Sequence, residues 1–271
     1  MRGGMPPRYI RPVPFPPAPS RKSGGVPVGS RTDQVIKDIE NELAKKKIEL
    51  GEDHPDTLKT LFTLAFHIHY VIRDYDRALP LYQDCLVRQN RVLHKDHPDI
   101  LKTLTEIATV FYRKENYDRA QPMYEECLEK SRTVLGEDNI QTLNLLNNLG
   151  NLFYSKHEYD RALPLYEECL AKRKRILGED HSSTLISLKC IALLFKSKHE
   201  YDRALPLYEE YLLLTKKKNG EDDPKTLTAL YDLASVFDLN GNYDRALPLF
   251  EECLAKRKHV LVKDHPDTLI V

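Results

Sequence analysis

The tetrapeptide Tyr-Asp-Arg-Ala begins at Tyr75, Tyr117, Tyr159, Tyr201 and Tyr243, and every step is 42 residues. A fixed period of this size marks a repeat array. Each unit of such an array packs on its neighbours, so no single central core is needed. The fullest copy runs from Tyr159 to Asp180, YDRALPLYEECLAKRKRILGED. Its apolar positions Ala162, Leu165, Tyr166, Cys169, Leu170, Ile176 and Leu177 fall on one broad helical face, and Glu167, Glu168, Lys172, Lys174 and Arg175 lie opposite. That is the pattern of a helix packed on one side.

A second helix precedes each copy. In QTLNLLNNLGNLFYSKHE, Leu143, Leu146, Gly150 and Phe153 form one stripe, and Leu145, Leu149 and Leu152 form another. Two apolar faces require neighbours on two sides. The array therefore alternates a helix A, packed on both sides, with an outer helix B.

This alternation predicts a lone B-like capping helix over 33–50 and five helix pairs over about 55–93, 97–135, 139–177, 181–218 and 223–261. A further repeat starts over 262–271, ending HPDTLIV. The first pair carries one extra residue between Ala65 and Tyr75, late in helix A or in the turn. Each B helix is expected to open on its Asp as N-cap (Asp76, Asp118, Asp160, Asp202, Asp244), since Asp caps well. In the linker, His54, His97, Asn139, His181, Asp223 and His265 share one slot before helix A. Pro follows four of them, as suits a first helical position, so the slot reads as an N-cap rather than a metal ligand.

Residues 1–32 differ in kind. They are rich in Pro, Gly and Arg, cannot bury a core and read as a disordered tail. Arg11, Pro14 and Pro17 fit a spacing that a polyproline II helix presents to an SH3-type groove. The plainer reading is a soluble tail.

The 41 basic and 41 acidic residues cancel, giving no general pull toward nucleic acid or an anionic membrane. No apolar run approaches the roughly 20 residues that span a bilayer. Cys85, Cys127, Cys169 and Cys253 share one slot and Cys190 lies elsewhere, which suits reduced core thiols in a cytoplasmic protein. No catalytic, metal or cofactor-binding constellation is present, so the expectation is a non-enzymatic protein. The runs at Lys45, Lys172, Lys216 and Lys256 would suit a nucleic-acid patch, but their spacing from Glu168 and Glu252 favours solvated, ion-paired helix ends.

These residues resemble the tetratricopeptide repeat signature. In the third pair its slots hold Leu146, Leu149, Gly150, Phe153, Tyr159, Ala162 and Tyr166; in the second, Leu104, Ile107, Ala108, Phe111, Tyr117, Ala120 and Tyr124. The 42-residue unit with its G-x-D-H-P-D restart is similar to repeats of kinesin light chains and nephrocystin-3-like proteins. The heptad region of kinesin light chains is replaced here by the Pro-rich tail. The resemblance implies an all-α fold: an α-solenoid, a right-handed superhelix of antiparallel helix pairs whose A helices line a concave groove that holds a peptide.

Carried over position by position, the groove candidates are Lys102, Tyr112 and Arg113 in the second pair; Asn144, Asn147, Asn151 and Tyr154 in the third; Lys189 and Lys196 in the fourth; and Tyr231 in the fifth. The first pair would present Lys59, Phe62, Phe66, His69 and Tyr70. Asn is a poor helix former, and its amide both donates and accepts, as clamping an extended backbone requires. The lysines and Arg113 favour an acidic or C-terminal-carboxylate peptide. A sensor arm of a larger signalling protein and a kinesin light chain-type cargo adaptor stand as alternatives.

Overall fold

The computed structural model describes residues 28–260. The expected SH3-type spacing at Arg11, Pro14 and Pro17, and the restarted repeat over 262–271, lie outside them. The described residues form eleven α-helices and one π turn, without strands. In order these are α1 (Val28–Leu50), α2 (Pro55–His67), the π turn (Ile68–Ile72), α3 (Tyr75–Val92), α4 (Pro98–Arg113), α5 (Tyr117–Val134), α6 (Ile140–Ser155), α7 (Tyr159–Leu177), α8 (Ser182–Ser197), α9 (Tyr201–Asn219), α10 (Pro224–Leu239) and α11 (Tyr243–Val260). Even-numbered helices are the A helices, and α3 to α11 odd are the B helices.

The chain divides into two compact units, one holding the described residues up to Leu152 and the other those from Phe153. In the first, α1 packs on α2, α2 on α3, α3 on α4 and α4 on α5. In the second, α7 packs on α8, α8 on α9, α9 on α10 and α10 on α11. Each is a run of antiparallel helix pairs, the architecture of an α-solenoid.

Helix α1 begins at Val28, five residues before the expected start at Asp33. Nothing between Val28 and Asp33 stops a helix, and propagation adds one hydrogen bond per ordered residue. The extra residue of the first pair is absorbed as the π turn closing α2. Single π turns are how helices accommodate an insertion.

The linker slot is an N-cap. His54, His97 and His181 accept the backbone N–H two residues on through Nδ1, at 3.2, 3.2 and 3.1 Å. Asn139 and Asp223 do the same through side-chain oxygens, each at 2.8 Å.

The expected caps of the B helices are corrected. These helices begin at Tyr, one residue earlier, so each Asp stands at the second helical position. The N-cap positions hold Asp74, Asn116, Glu158 and Glu200, and of these Asp74 and Asn116 accept a backbone N–H through the side chain. The repeated Asp instead reaches across to the next pair: Asp76 pairs with Lys114 at 2.5 Å, Asp160 with Lys198 at 3.1 Å, and Asp202 accepts from Asn240 at 3.5 Å. The Arg that follows stacks on an aromatic ring of its own helix A. Arg161 lies 3.8 Å above Phe153, Arg203 4.0 Å above Phe195 and Arg245 4.1 Å above Phe237. The Ala that closes the tetrapeptide is buried in every copy, at 2 % exposure or less.

A second device recurs between pairs. Thr57, Thr142, Thr184 and Thr226, each near the start of helix A, donate to the carbonyls of Gly51, Gly136, Gly178 and Gly220 at 2.7–2.8 Å. The second pair lacks both partners: His94 stands in the glycine slot and Ile100 in the threonine slot. Gly178 sits at φ 93°, ψ 161°, a region open essentially to glycine alone. Space is not limiting, because an added Cβ would meet only Asp180 Oδ1, at 3.8 Å. Gly178→Ala is therefore expected to cost about 1–3 kcal/mol through backbone strain, read as a lower urea midpoint with unchanged m-value.

Candidate functional site

A surface that meets a partner must be exposed, and helix A leaves little exposed. One slot stays exposed in all five A helices, holding Lys59, Lys102, Asn144, Ile186 and Thr228. It lies between the two apolar stripes, where neither neighbouring layer reaches. It holds four residue types across the five pairs, whereas the signature slot of Ala65, Ala108, Gly150, Ala192 and Ala234 is buried and holds only Ala or Gly.

In the unit ending at Leu152, Lys102 is exposed and holds its ammonium 4.5 Å above the Phe62 ring. Arg113 is half-buried in the last turn of α4, and Asn144 is exposed on α6. Phe66 and Tyr70 are both more than a third exposed. The Tyr70 hydroxyl donates to Glu106 at 2.9 Å, and His69 Nδ1 lies 3.5 Å from the same carboxylate oxygen. His69 itself is buried at 1 % exposure, stacked on Tyr70 with ring centroids 4.1 Å apart. Glu106 escaped the sequence reading because it lies off the inward positions; the π turn brings the first pair's rings to it.

In the unit starting at Phe153, Lys189 is half-buried and pairs with Asp232 at 2.6 Å. Burial opposes its charge, but Asp232 and the Tyr211 hydroxyl outweigh burial and raise its pKa. Lys196 is half-buried seven residues further along α8. Burial, helped by the like charge of Lys189, lowers its pKa despite Asp232. Tyr231 is half-buried between helices of its own pair, 5.5 Å from the Phe250 ring and beneath Arg257.

Four expected groove residues are buried and require correction. Asn147 and Asn151 are 5 % and 2 % exposed, Tyr112 6 % and Tyr154 1 %. The Tyr154 hydroxyl lies 2.6 Å from Ser197 Oγ, and the Tyr112 ring packs 5.9 Å from Tyr117. Two apolar faces leave helix A so narrow a free edge that polar residues beside it are covered as well. In this structure all four are covered rather than open to solvent.

Many cations of the basic runs at helix ends are paired within the chain. Lys46 pairs with Glu42 at 2.6 Å, Lys172 with Glu168 at 2.7 Å, Lys174 with Glu210 at 2.6 Å and Lys216 with Glu221 at 2.6 Å. Arg173 is buried and donates to Ser183 O and Ser187 Oγ, both at 2.8 Å. These cations are spread over intrachain partners rather than gathered into one basic surface.

The cysteines are free thiols. Burial pushes Cys127 up to about 11 and Cys85 and Cys190 up to about 12, which suits inert packing groups rather than nucleophiles. No helix among the described residues is long and apolar enough to cross a membrane.

A family model for the tetratricopeptide repeat matches four overlapping windows, residues 67–133, 99–175, 141–212 and 183–259. The chain belongs to the tetratricopeptide repeat family. Among solved structures, a kinesin light chain candidate from Podosopora anserina with nearly identical TPR-like repeats is 20% identical. That match covers 77% of this chain and 99% of the other, at a TM-score of 0.67. BtubC (BKLC) from P. vanneervenii is 21% identical, with 85% and 89% of the two chains covered and a TM-score of 0.68. A Rap protein complexed with Competence and Sporulation Factor is 10% identical, with 88% and 68% covered and a TM-score of 0.60. No curated protein sequence matches the chain. At these identities the structural likeness fixes the fold of the tetratricopeptide array and leaves its partner open.

Proposed function

We propose that the protein is a non-enzymatic interaction scaffold that holds an acidic, extended peptide along the exposed edge of the A helices in the unit ending at Leu152. The observation that carries this reading is the exposed slot itself. It is the surface position that every A helix supplies, and the chain varies it as Lys59, Lys102, Asn144, Ile186 and Thr228 while keeping the buried slots apolar or small. Solvent contact lets these positions specify a partner. In the first unit the slot's two lysines, with Arg113 at the end of α4, make the edge basic, and Asn144 adds an amide that pairs with a peptide backbone. The Rap structure, solved with a factor bound, supports the same use of such an array.

The test is fluorescence anisotropy with a labelled Glu-rich peptide and a Lys-rich control of equal length. The Glu-rich peptide is expected to bind more tightly. Lys102→Ala with Arg113→Ala is expected to weaken it about five- to tenfold and flatten its salt dependence, as loss of steering charges does. Equal affinity for the two peptides would overturn the acidic-guest reading.

A further inference from the structure

Lys196 and Lys189 occupy one face of α8, two helical turns and about 10 Å apart along the axis, yet their surroundings differ. Lys189 has Asp232 of α10 at 2.6 Å and the Tyr211 ring of α9 at 5.5 Å. The other half-buried lysines of this unit are likewise paired: Lys156 with Glu158, Lys172 with Glu168, Lys174 with Glu210, Lys198 with Asp160 and Glu200, and Lys256 with Glu221. Among the described residues of the unit, Lys196 is the half-buried lysine that meets no carboxylate at ion-pair distance. The one acid facing it, Asp232, is already engaged by Lys189. An ammonium that is desolvated and unpaired gains from losing its charge.

We propose that Lys196 is the chain's reactive lysine, a site of Nε-acylation by small acyl phosphates. The neutral amine attacks the carbonyl carbon; the C–N bond forms as the bond from that carbon to the phosphate oxygen breaks. Phosphate leaves with the bonding pair, and the proton released from nitrogen passes to solvent. The amide product is uncharged, so the modification removes the unpaired charge from a half-buried position and subtracts one cation from the face of α8. The shift of Lys196 toward the neutral form, driven by burial and by Lys189, acts in the same direction. The site stands whether or not a peptide binds the array.

The full chain is treated with acetyl phosphate at pH 8, quenched at low conversion and digested with chymotrypsin, and acetylation at each lysine is quantified by mass spectrometry. Helicity is followed by circular dichroism to confirm that the array stays folded. Lys196 is expected to react faster than Lys189, which Asp232 holds in its charged form at 2.6 Å, and faster than exposed Lys217 and Lys225. Lys189→Met is expected to slow Lys196, because it removes the like charge and frees Asp232 to pair with it. A Lys196 rate at or below that of Lys217 and Lys225 in the folded protein would overturn the proposal, as would an unchanged rate in a folded Lys189→Met chain.

Discussion

Phe237→Ala is expected to destabilise the array by about 3–5 kcal/mol, the usual cost of emptying a buried aromatic site. Phe237 is 1 % exposed on α10, and the guanidinium of Arg245 lies 4.1 Å above its ring. Removing the ring leaves a cavity and strips the arginine of its platform. A solenoid unit is supported chiefly by its neighbours, so the loss should be local. Native-state hydrogen exchange is the measurement of choice. Amides of α10 and α11 should lose most of their protection, while those of α3 and α4 change little. A loss below about 1 kcal/mol would show that the site collapses around the gap, since cavity cost depends on relaxation.

The second large effect has the opposite geometry. Ala162→Leu adds bulk where α7 has no room, because Ala162 has no exposed surface. Overpacking of this kind costs about 1–3 kcal/mol. The slot holds Ala in all five B helices, and each is buried at 2 % exposure or less. Leu213→Ala on α9 provides the control. That leucine is 65 % exposed, and surface changes of this type stay within about 0.5 kcal/mol. Urea midpoints of the two variants, compared with the parent chain, give the contrast directly. Equal midpoints for Ala162→Leu and Leu213→Ala would place the close helix contact elsewhere.

Some side-chain roles were legible in the chain and others were misread for identifiable reasons. The linker histidines were placed as caps because Asn139 and Asp223, both strong caps, share their slot, and all five described linkers cap in this way. The repeated Asp of the B helices reads as a cap because Asp suits both the cap and the first turn, where it meets the positive end of the helix dipole. Propensity cannot separate positions one residue apart. What holds Asp76 and Asp160 is Lys114 and Lys198, each 38 residues away. The asparagines of α6 read as a clamp from the resemblance's inward positions, helical spacing and amide chemistry. Spacing gives the face on which Asn147 and Asn151 lie but not how far the neighbouring layers extend over it.

The sequence by itself determined the period, hence the solenoid, the alternation of doubly packed and singly packed helices, and the linkers between them. All of these follow from local spacing and from residues within a few positions of one another. Tertiary structure decided which edge of helix A remains exposed, why the first pair turns its rings toward Glu106, and why Lys189 and Lys196 differ. The last case shows the physical reason most plainly. The two lysines have the same chemistry, helix and face, and they are separated by one carboxylate, Asp232, that stands 43 residues from one and 36 from the other in the chain. Its position depends on how α8 and α10 each pack on α9, and the charge it neutralises is set by that packing.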